Sequence, residues 1–215
     1  MIVKVCGVRT AAIAEAAVSA GADWIGIVFE PRSPRYADDA TARTVVDAAG
    51  RDVDLIGVFV EPSVAECEEA AARYRLAAVQ VHGDITRDLV EACPVPVIRG
   101  INLSSRADMF QVQWWPDCLV LLDGAPDDAG LPGGTGRRVA MDVAAEISRH
   151  RPIVLAGGLG PDTVADAIWE TAPYGVDASG GLERTRGEKD AGLVESYVHA
   201  ARAAFARLAE YGRRT

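Results

Sequence analysis

Cys6, His82, Asp123 and Asp177 each stand at or near the end of a short apolar run, in Lys4-Val5-Cys6-Gly7, Gln80-Val81-His82-Gly83, Leu121-Leu122-Asp123 and Val176-Asp177-Ala178. A thiol, an imidazole and two carboxyl groups can take up and release protons, which is the raw material of acid and base chemistry. Two glycine-rich turns lie nearby in the pattern, Gly157-Gly158 and Ser179-Gly180-Gly181. Glycines there let backbone N–H groups approach an anion, and a helix N-terminus behind them adds partial positive charge, so both turns are candidate phosphate cradles. A third run, Gly133-Gly134-Thr135-Gly136, could line the same site or move as a lid.

Eight strand-like runs would have to position these groups: Ile2–Cys6, Trp24–Phe29, Asp54–Val60, Ala77–His82, Val95–Ile101, Cys118–Asp123, Ile153–Ala156 and Tyr174–Ala178. Each is too short for a helix, and most are bounded by Gly, Pro or charge. Helical patterns fall between them at Ala11–Ala20, Ala40–Ala49, Val64–Tyr74 and Thr163–Thr171. Leu193, Tyr197, Ala201, Phe205 and Leu208 share a face of the last helix, and Ser104–Val112 is the weakest helical stretch. The alternation predicts an α/β fold, a single-domain (β/α)8 TIM barrel over residues 1–215, with an open sheet of other topology as the alternative.

In a barrel, alternate strand residues face inward and the C-terminal strand ends open onto the mouth. Parity turns Lys4 and Cys6 inward on the first strand and Gln80 with His82 on the fourth. It singles out Arg99 on the fifth, Asp123 on the sixth and Asp177 on the eighth. An internal lattice, Lys4 and Arg99 against Asp123 and Asp177, would account for the charges alone. It would not account for Cys6, His82, Asp123 and Asp177 all falling at the mouth.

The chain has 215 residues, 49% apolar and 25% charged, with a formal charge of −9. That excess of acid disfavours nucleic acid or an anionic membrane as partner and leaves a small phosphorylated molecule open. No apolar run approaches the length of a membrane span. Cys6, Cys67, Cys93 and Cys118 form no Cys-x-x-Cys pair, and the strand-like start leaves no room for a signal peptide. Reduced thiols in the cytoplasm are therefore expected.

The motifs, in order, resemble those of the phosphoribosylanthranilate isomerase family: Lys4-Val5-Cys6-Gly7, Ser33-Pro34-Arg35-Tyr36, Gly57-Val58-Phe59-Val60, Gln80-Val81-His82-Gly83 and Leu121-Leu122-Asp123. The resemblance continues through Gly133-Gly134-Thr135-Gly136, Leu155-Ala156-Gly157-Gly158-Leu159, Val176-Asp177-Ala178-Ser179 and Lys189-Asp190. It implies an Amadori rearrangement of N-(5-phosphoribosyl)anthranilate to 1-(2-carboxyphenylamino)-1-deoxyribulose 5-phosphate, a step of tryptophan biosynthesis, with no cofactor or metal. Carried over, Cys6 is the general base and Asp123 the general acid. Arg35 contacts the anthranilate carboxylate, and Gln80 and His82 line the pocket. Asp177 orients the substrate or braces the barrel, and Gly157, Gly158, Ser179 and Gly180 hold the phosphate. Lys4 is expected to favour the Cys6 thiolate, and burial near other carboxylates to raise the pKa of Asp123.

The sequence departs from the family at Ser179-Gly180-Gly181-Leu182-Glu183, where a second serine is missing, and at Arg186-Gly187, where the family has Pro-Gly. Alternatives are a barrel acting on a related phosphorylated aminoaldose in a specialised pathway, or an inactive phosphate-binding barrel. A metal-dependent epimerase would want more histidines at the mouth than His82, since His150 and His199 fall in or beside helices. A monomer or homodimer is expected.

Overall fold

The structure, a computed structural model, describes residues 1–115, 118–124 and 139–212. Eight parallel strands close into a barrel in chain order: β1 (Ile2–Cys6), β2 (Trp24–Val28), β3 (Asp54–Val60), β4 (Ala78–His82), β5 (Val97–Asn102), β6 (Leu119–Asp123), β7 (Ile153–Leu155) and β8 (Gly175–Ala178). The seam pairs β1 with β8, setting Lys4 opposite Asp177. Helices α1 (Ala11–Ala20), α2 (Asp39–Ala49), α3 (Val64–Tyr74), α4 (Arg87–Ala92), α5 (Met109–Gln113), α6 (Met141–Ser148), α7 (Val164–Thr171) and α8 (Ala191–Gly212) connect the strands and follow the last.

Local chemistry starts these elements where the sequence pattern expects them. Thr10 caps α1 by accepting from the Ile13 N–H, and Gly21 ends it in the left-handed region at φ 89°. Ser63 and Glu66 form a reciprocal capping box on α3, satisfying two N-terminal N–H groups. Strand β5 begins at Val97, later than expected, because Pro94 and Pro96 have no N–H to give a ladder. The weak helical stretch divides into a 3-10 turn, Arg106–Asp108, and the short α5.

The barrel wall separates two apolar regions. Outward-facing Val3, Val5, Ile25, Ile27, Val79 and Val81 pack among the helices in the main core. Inside, Ile56, Ala78, Ile98, Leu121, Val154 and Ala156 fill the barrel as a hydrocarbon floor. Each fully buried aliphatic side chain contributes about 1.5–3 kcal/mol. The polar side chains above that floor are thus screened from water below and open only toward the mouth.

Arg99 is the correction to the inward set. Ile98 belongs to the interior floor, while Val97 and Ile101 belong to the outer core, so Arg99 shares their outward parity. Its guanidinium donates to the carbonyls of Val81, Gly100 and Gly83 at 3.0, 2.8 and 2.6 Å and lies 5.4 Å from the centre of the Trp115 ring. Carbonyls of β4, β5 and the turn after β4 take its two terminal nitrogens, while its Nε is buried without a partner among the described residues, and it takes no part in a lattice with Asp123 or Asp177.

After β8 the chain forms an antiparallel hairpin, β9 (Glu183–Thr185) with β10 (Glu188–Lys189), where the family's proline is missing. Gly187 turns it at φ 89°, and a Cβ there would come within 2.7 Å of the Pro34 carbonyl. The hairpin therefore packs against the β2–α2 loop. Gly133–Gly136 and the tail residues Arg213 and Arg214 lie outside the described residues. No helix among the described residues is long and apolar enough to cross a membrane.

Candidate active site

Cys6 ends β1 with its thiol inside the barrel, next to Lys4 and Asp177. Lys4 is fully buried, and its Nζ donates to Asp177 Oδ2 at 2.9 Å, while Asp177 Oδ1 is buried with no hydrogen-bond partner among the described residues. Gly26 on β2 makes the space: a Cβ there would lie 2.7 Å from Cys6 Sγ and 3.1 Å from Lys4 Nζ. Burial opposes the Lys4 ammonium, but Asp177 and Cys6 outweigh it and hold its pKa above the ordinary value. Burial pushes the Cys6 thiol up, and Asp177 adds to the rise; Lys4 and Lys189 pull the other way without prevailing. Lys4 therefore acts in the expected direction, but its charge is already engaged by Asp177.

Gln80 and His82 project together from β4, and Gln80 Nε2 lies 2.8 Å from His82 Nε2. With the carboxamide donating, the ring proton sits on Nδ1. Burial, with Arg99 and Lys4 nearby, lowers the His82 pKa to about 3, so the imidazole is neutral near neutrality. Gly100 leaves room for the ring; a Cβ at that position would be 2.4 Å from His82 Cε1. Gln80 Oε1 is buried and without a partner among the described residues. His82 is thus an uncharged wall held by Gln80, and Gln80 keeps an acceptor to offer.

Asp123 ends β6, three strand positions from β1 around the closed barrel. It is 4% exposed, and the Gly124 N–H donates to its Oδ1 at 2.7 Å. Thiol and carboxyl thus enter one cavity from different sides.

The turns after β7 and β8 meet each other. Gly157 and Gly158 adopt φ of 84° and 69°, conformations that side chains with a Cβ rarely take. Gly181 packs so close to the opposite turn that a Cβ would fall 2.1 Å from the Leu159 carbonyl oxygen. Ser179 is present as expected, but its hydroxyl donates to the Cys6 carbonyl at 3.1 Å. Its one hydroxyl hydrogen is spent fixing the end of β1.

Arg35 comes from the β2–α2 loop, where Gly7 at φ 77° passes beneath it; a Cβ on Gly7 would be 2.8 Å from Arg35 Cδ. Its Nε and Nη2 donate to Glu183 Oε1 and Oε2 at 2.6 and 2.9 Å. The fork that the sequence assigned to a substrate carboxylate thus grips an internal one. Lys189 Nζ lies 3.3 Å from the same Oε1 and donates to the Ser179 carbonyl at 3.3 Å. All three side chains are at least 94% buried. Glu183 and Lys189 had no role in the sequence reading, although Lys189-Asp190 stood among its motifs.

Cys6, Arg35, Gln80, His82, Asp123, Gly157, Gly158, Asp177, Ser179 and Gly180 all line one cavity at the barrel mouth, with about 700 Å³ of open space. Glu30 and Ser33 also line it. Among the described residues, no group of three His, Cys, Asp or Glu side chains is placed to hold a metal ion. The arrangement offers a thiol, a carboxyl group, a neutral imidazole and a pair of glycine turns around one space that opens at the barrel mouth.

The family profile described as N-(5'phosphoribosyl)anthranilate (PRA) isomerase matches residues 3–200. The isomerase of that name from Geobacter metallireducens is 35% identical over 201 residues, covering 94% of this chain and 98% of its own. The one from Pseudomonas aeruginosa is 38% identical over 205 residues, covering 93% and 94%. The solved phosphoribosyl anthranilate isomerase of Thermotoga maritima superposes with a TM-score of 0.85 at 31% identity, over 94% of this chain and all of the other. Another solved isomerase of this kind, 29% identical with a TM-score of 0.83 over 94% of this chain and all of its own, is in complex with reduced 1-(o-carboxyphenylamino)-1-deoxyribulose 5-phosphate. With a match that runs through nearly every strand and helix of the barrel, the chain belongs to the N-(5'-phosphoribosyl)anthranilate isomerase family.

Proposed function

We propose that Cys6 and Asp123 act as general base and general acid in the Amadori rearrangement of N-(5'-phosphoribosyl)anthranilate, the tryptophan-biosynthetic isomerisation that this family performs. The observation that carries this reading is the shared cavity, which Cys6 enters from β1 and Asp123 from β6 with the glycine turns beside them. Neither an inactive barrel nor a specialised aminoaldose isomerase is favoured by a match of this length to the isomerases.

Asp123 gives its proton to the furanose ring oxygen, the C1–O bond breaks, and a protonated Schiff base forms between C1 and the aromatic nitrogen. The iminium draws electrons from the neighbouring C–H bond, and the Cys6 thiolate removes the C2 proton to give an enolamine. Tautomerisation then leaves a ketone at C2 and a secondary amine at C1. Burial holds the thiol pKa up. The cationic Schiff base supplies the positive charge that favours the thiolate at the step where it is needed.

Backbone amides from Gly157, Gly158, Ser179 and Gly180 hold the phosphate, and Arg35 meets the aromatic carboxylate. Gln80 Oε1 and Asp177 Oδ1 accept hydrogen bonds from the substrate's amine and hydroxyl groups. His82 stays neutral and shapes the wall. The enzyme works in the cytoplasm with a small phosphorylated substrate, as a monomer or homodimer, and sedimentation at working concentration distinguishes these two states.

The test is the loss of anthranilate-type fluorescence when purified protein meets freshly made substrate. Wild type quenches it. Cys6→Ala and Asp123→Asn each lose about a thousandfold or more of kcat, in keeping with removal of a group that transfers a proton in the transition state. A Cys6→Ala, Asp123→Asn double variant that turns over at the wild-type rate overturns the assignment.

A further inference from the structure

Of the four cysteines, Cys93 alone is not buried, and a second thiol stands beside it. Cys67 lies near the start of α3, fully buried in the outer core. Cys93 caps the C-terminus of α4 and packs against the same core. The two side chains are close enough for one thiol to hydrogen-bond the other. Neither lines the barrel mouth, where the thiol is Cys6. Burial, with Cys93 beside it, pushes the Cys67 thiol up to about 12, so it stays protonated near neutrality. Small apolar side chains would fill the same space. A partly exposed sulfur in contact with a sealed one is also the arrangement of an attacking thiol and its resolving partner.

We propose that Cys67 and Cys93 are a modification site, which a small-molecule disulfide such as oxidised glutathione converts reversibly to a disulfide between α3 and α4. Cys93 reacts first because solvent reaches it. Its thiolate attacks one sulfur of the small disulfide, forms a mixed disulfide and expels one small thiolate. Cys67 then gives up its proton, its sulfur attacks the Cys93 sulfur, and the second small thiolate leaves. Two protein thiols are oxidised, one small disulfide is reduced to two thiols, and the two protons pass to them. The sulfurs must close from contact to a bond of about 2.05 Å. Cys93 can supply that movement because it follows the last turn of its helix, in extended backbone at φ −66° and ψ 131°. The covalent loop runs through the rest of α3, all of β4 and α4, enclosing the strand that carries Gln80 and His82. Closing it restricts the unfolded chain and so stabilises the barrel wall without entering the cavity. The inference does not depend on the role of Cys6.

The experiment treats the reduced full-length protein with oxidised glutathione at about pH 8 for hours, the timescale of uncatalysed exchange. Remaining thiols are then blocked with iodoacetamide, and the peptides are mapped by mass spectrometry without reduction. In the wild type the Cys67 and Cys93 peptides are joined within one chain, and the free thiols fall from four to two. Its melting temperature rises by about 5 °C or more, and dithiothreitol returns it to the starting value. Cys93→Ser gains no stability, and its buried thiols stay unmodified. Cys67→Ala halts at the mixed disulfide on Cys93, with one glutathione per chain; if that variant does not fold, Cys67→Ser takes its place. A wild type that itself halts at the mixed disulfide shows that Cys67 does not resolve it and overturns the proposal. So does a bond from Cys93 to Cys6 or Cys118, or one that joins two chains.

Discussion

Lys4 and Asp177 face each other in register across the seam that closes the barrel, joined at 2.9 Å with the Cys6 thiol beside them. The pair does two jobs from one position. It neutralises two charges above an apolar floor, and it sets opposing electrostatic influences on the same sulfur. Lys4 lowers the thiol pKa and Asp177 raises it.

These opposite signs make the pH–rate profile diagnostic. A base must be deprotonated, so activity rises with pH through the Cys6 pKa. Lys4→Met removes the cation and leaves Asp177 beside the sulfur, so the rising limb moves to higher pH. Asp177→Asn removes the anion and leaves Lys4 to the thiolate, so the limb moves to lower pH even as the rate falls. Shifts of about one unit in opposite directions are expected, each unit corresponding to about 1.4 kcal/mol between the two protonation states. Stopped assays in buffers of constant ionic strength read both, and shifts of the same sign contradict the arrangement.

Ser179 makes a prediction that departs from its expected role as a phosphate ligand. Its hydroxyl hydrogen goes to the Cys6 carbonyl. Ser179→Ala therefore costs about 0.5–1.5 kcal/mol of stability, the usual net value of one hydrogen bond. The KM of the substrate should rise by no more than about threefold, because the amides remain. Thermal melting and steady-state kinetics separate the two effects.

Much of this site could be read from period-two alternation alone. Cys6, His82 and Asp123 occupy the last residue of β1, β4 and β6, and parity sends each inward once a barrel is assumed. Parity failed for Arg99 because its surroundings were judged from sequence neighbours. Its partners are carbonyls at the end of the preceding strand and on its own strand, and a tryptophan ring. Glu183 was invisible for a related reason, since its partner Arg35 lies 148 residues away and only the hairpin brings them together. Ser179 was read by residue type, but the direction of a hydroxyl is set by tertiary contacts that a sequence does not print.

Gly181 tests whether the two turns form one anion site. Any side chain there meets the Leu159 carbonyl at 2.1 Å, a distance that forces the turns apart. Gly181→Ala should raise KM for the phosphorylated substrate by about tenfold or more. Inorganic phosphate should bind correspondingly more weakly as a competitive inhibitor, with little change in the pH dependence set by Cys6. An unchanged inhibition constant for phosphate separates this pair of turns from the anion.

Glu183 links the buried ion pairs of Arg35 and Lys189 to acid stability. Burial alone would raise its carboxyl pKa, but Arg35, the Gly187 N–H and Lys189 outweigh burial and hold it below the usual value. A carboxylate depressed in the folded state stabilises the protein above its unfolded pKa of about 4.3, and that contribution disappears as pH falls through the folded value. Glu183→Gln leaves two buried cations without their anion, which should cost about 3 kcal/mol at pH 7, the lower end for breaking a buried ion pair. The gap between wild type and variant should hold down to about pH 5 and then narrow as the wild-type carboxylate takes up its proton. Urea unfolding of both proteins across pH 3 to 8 follows that gap, and a gap that does not change with pH would mean that Glu183 supports the hairpin through packing and leaves the cations to other partners.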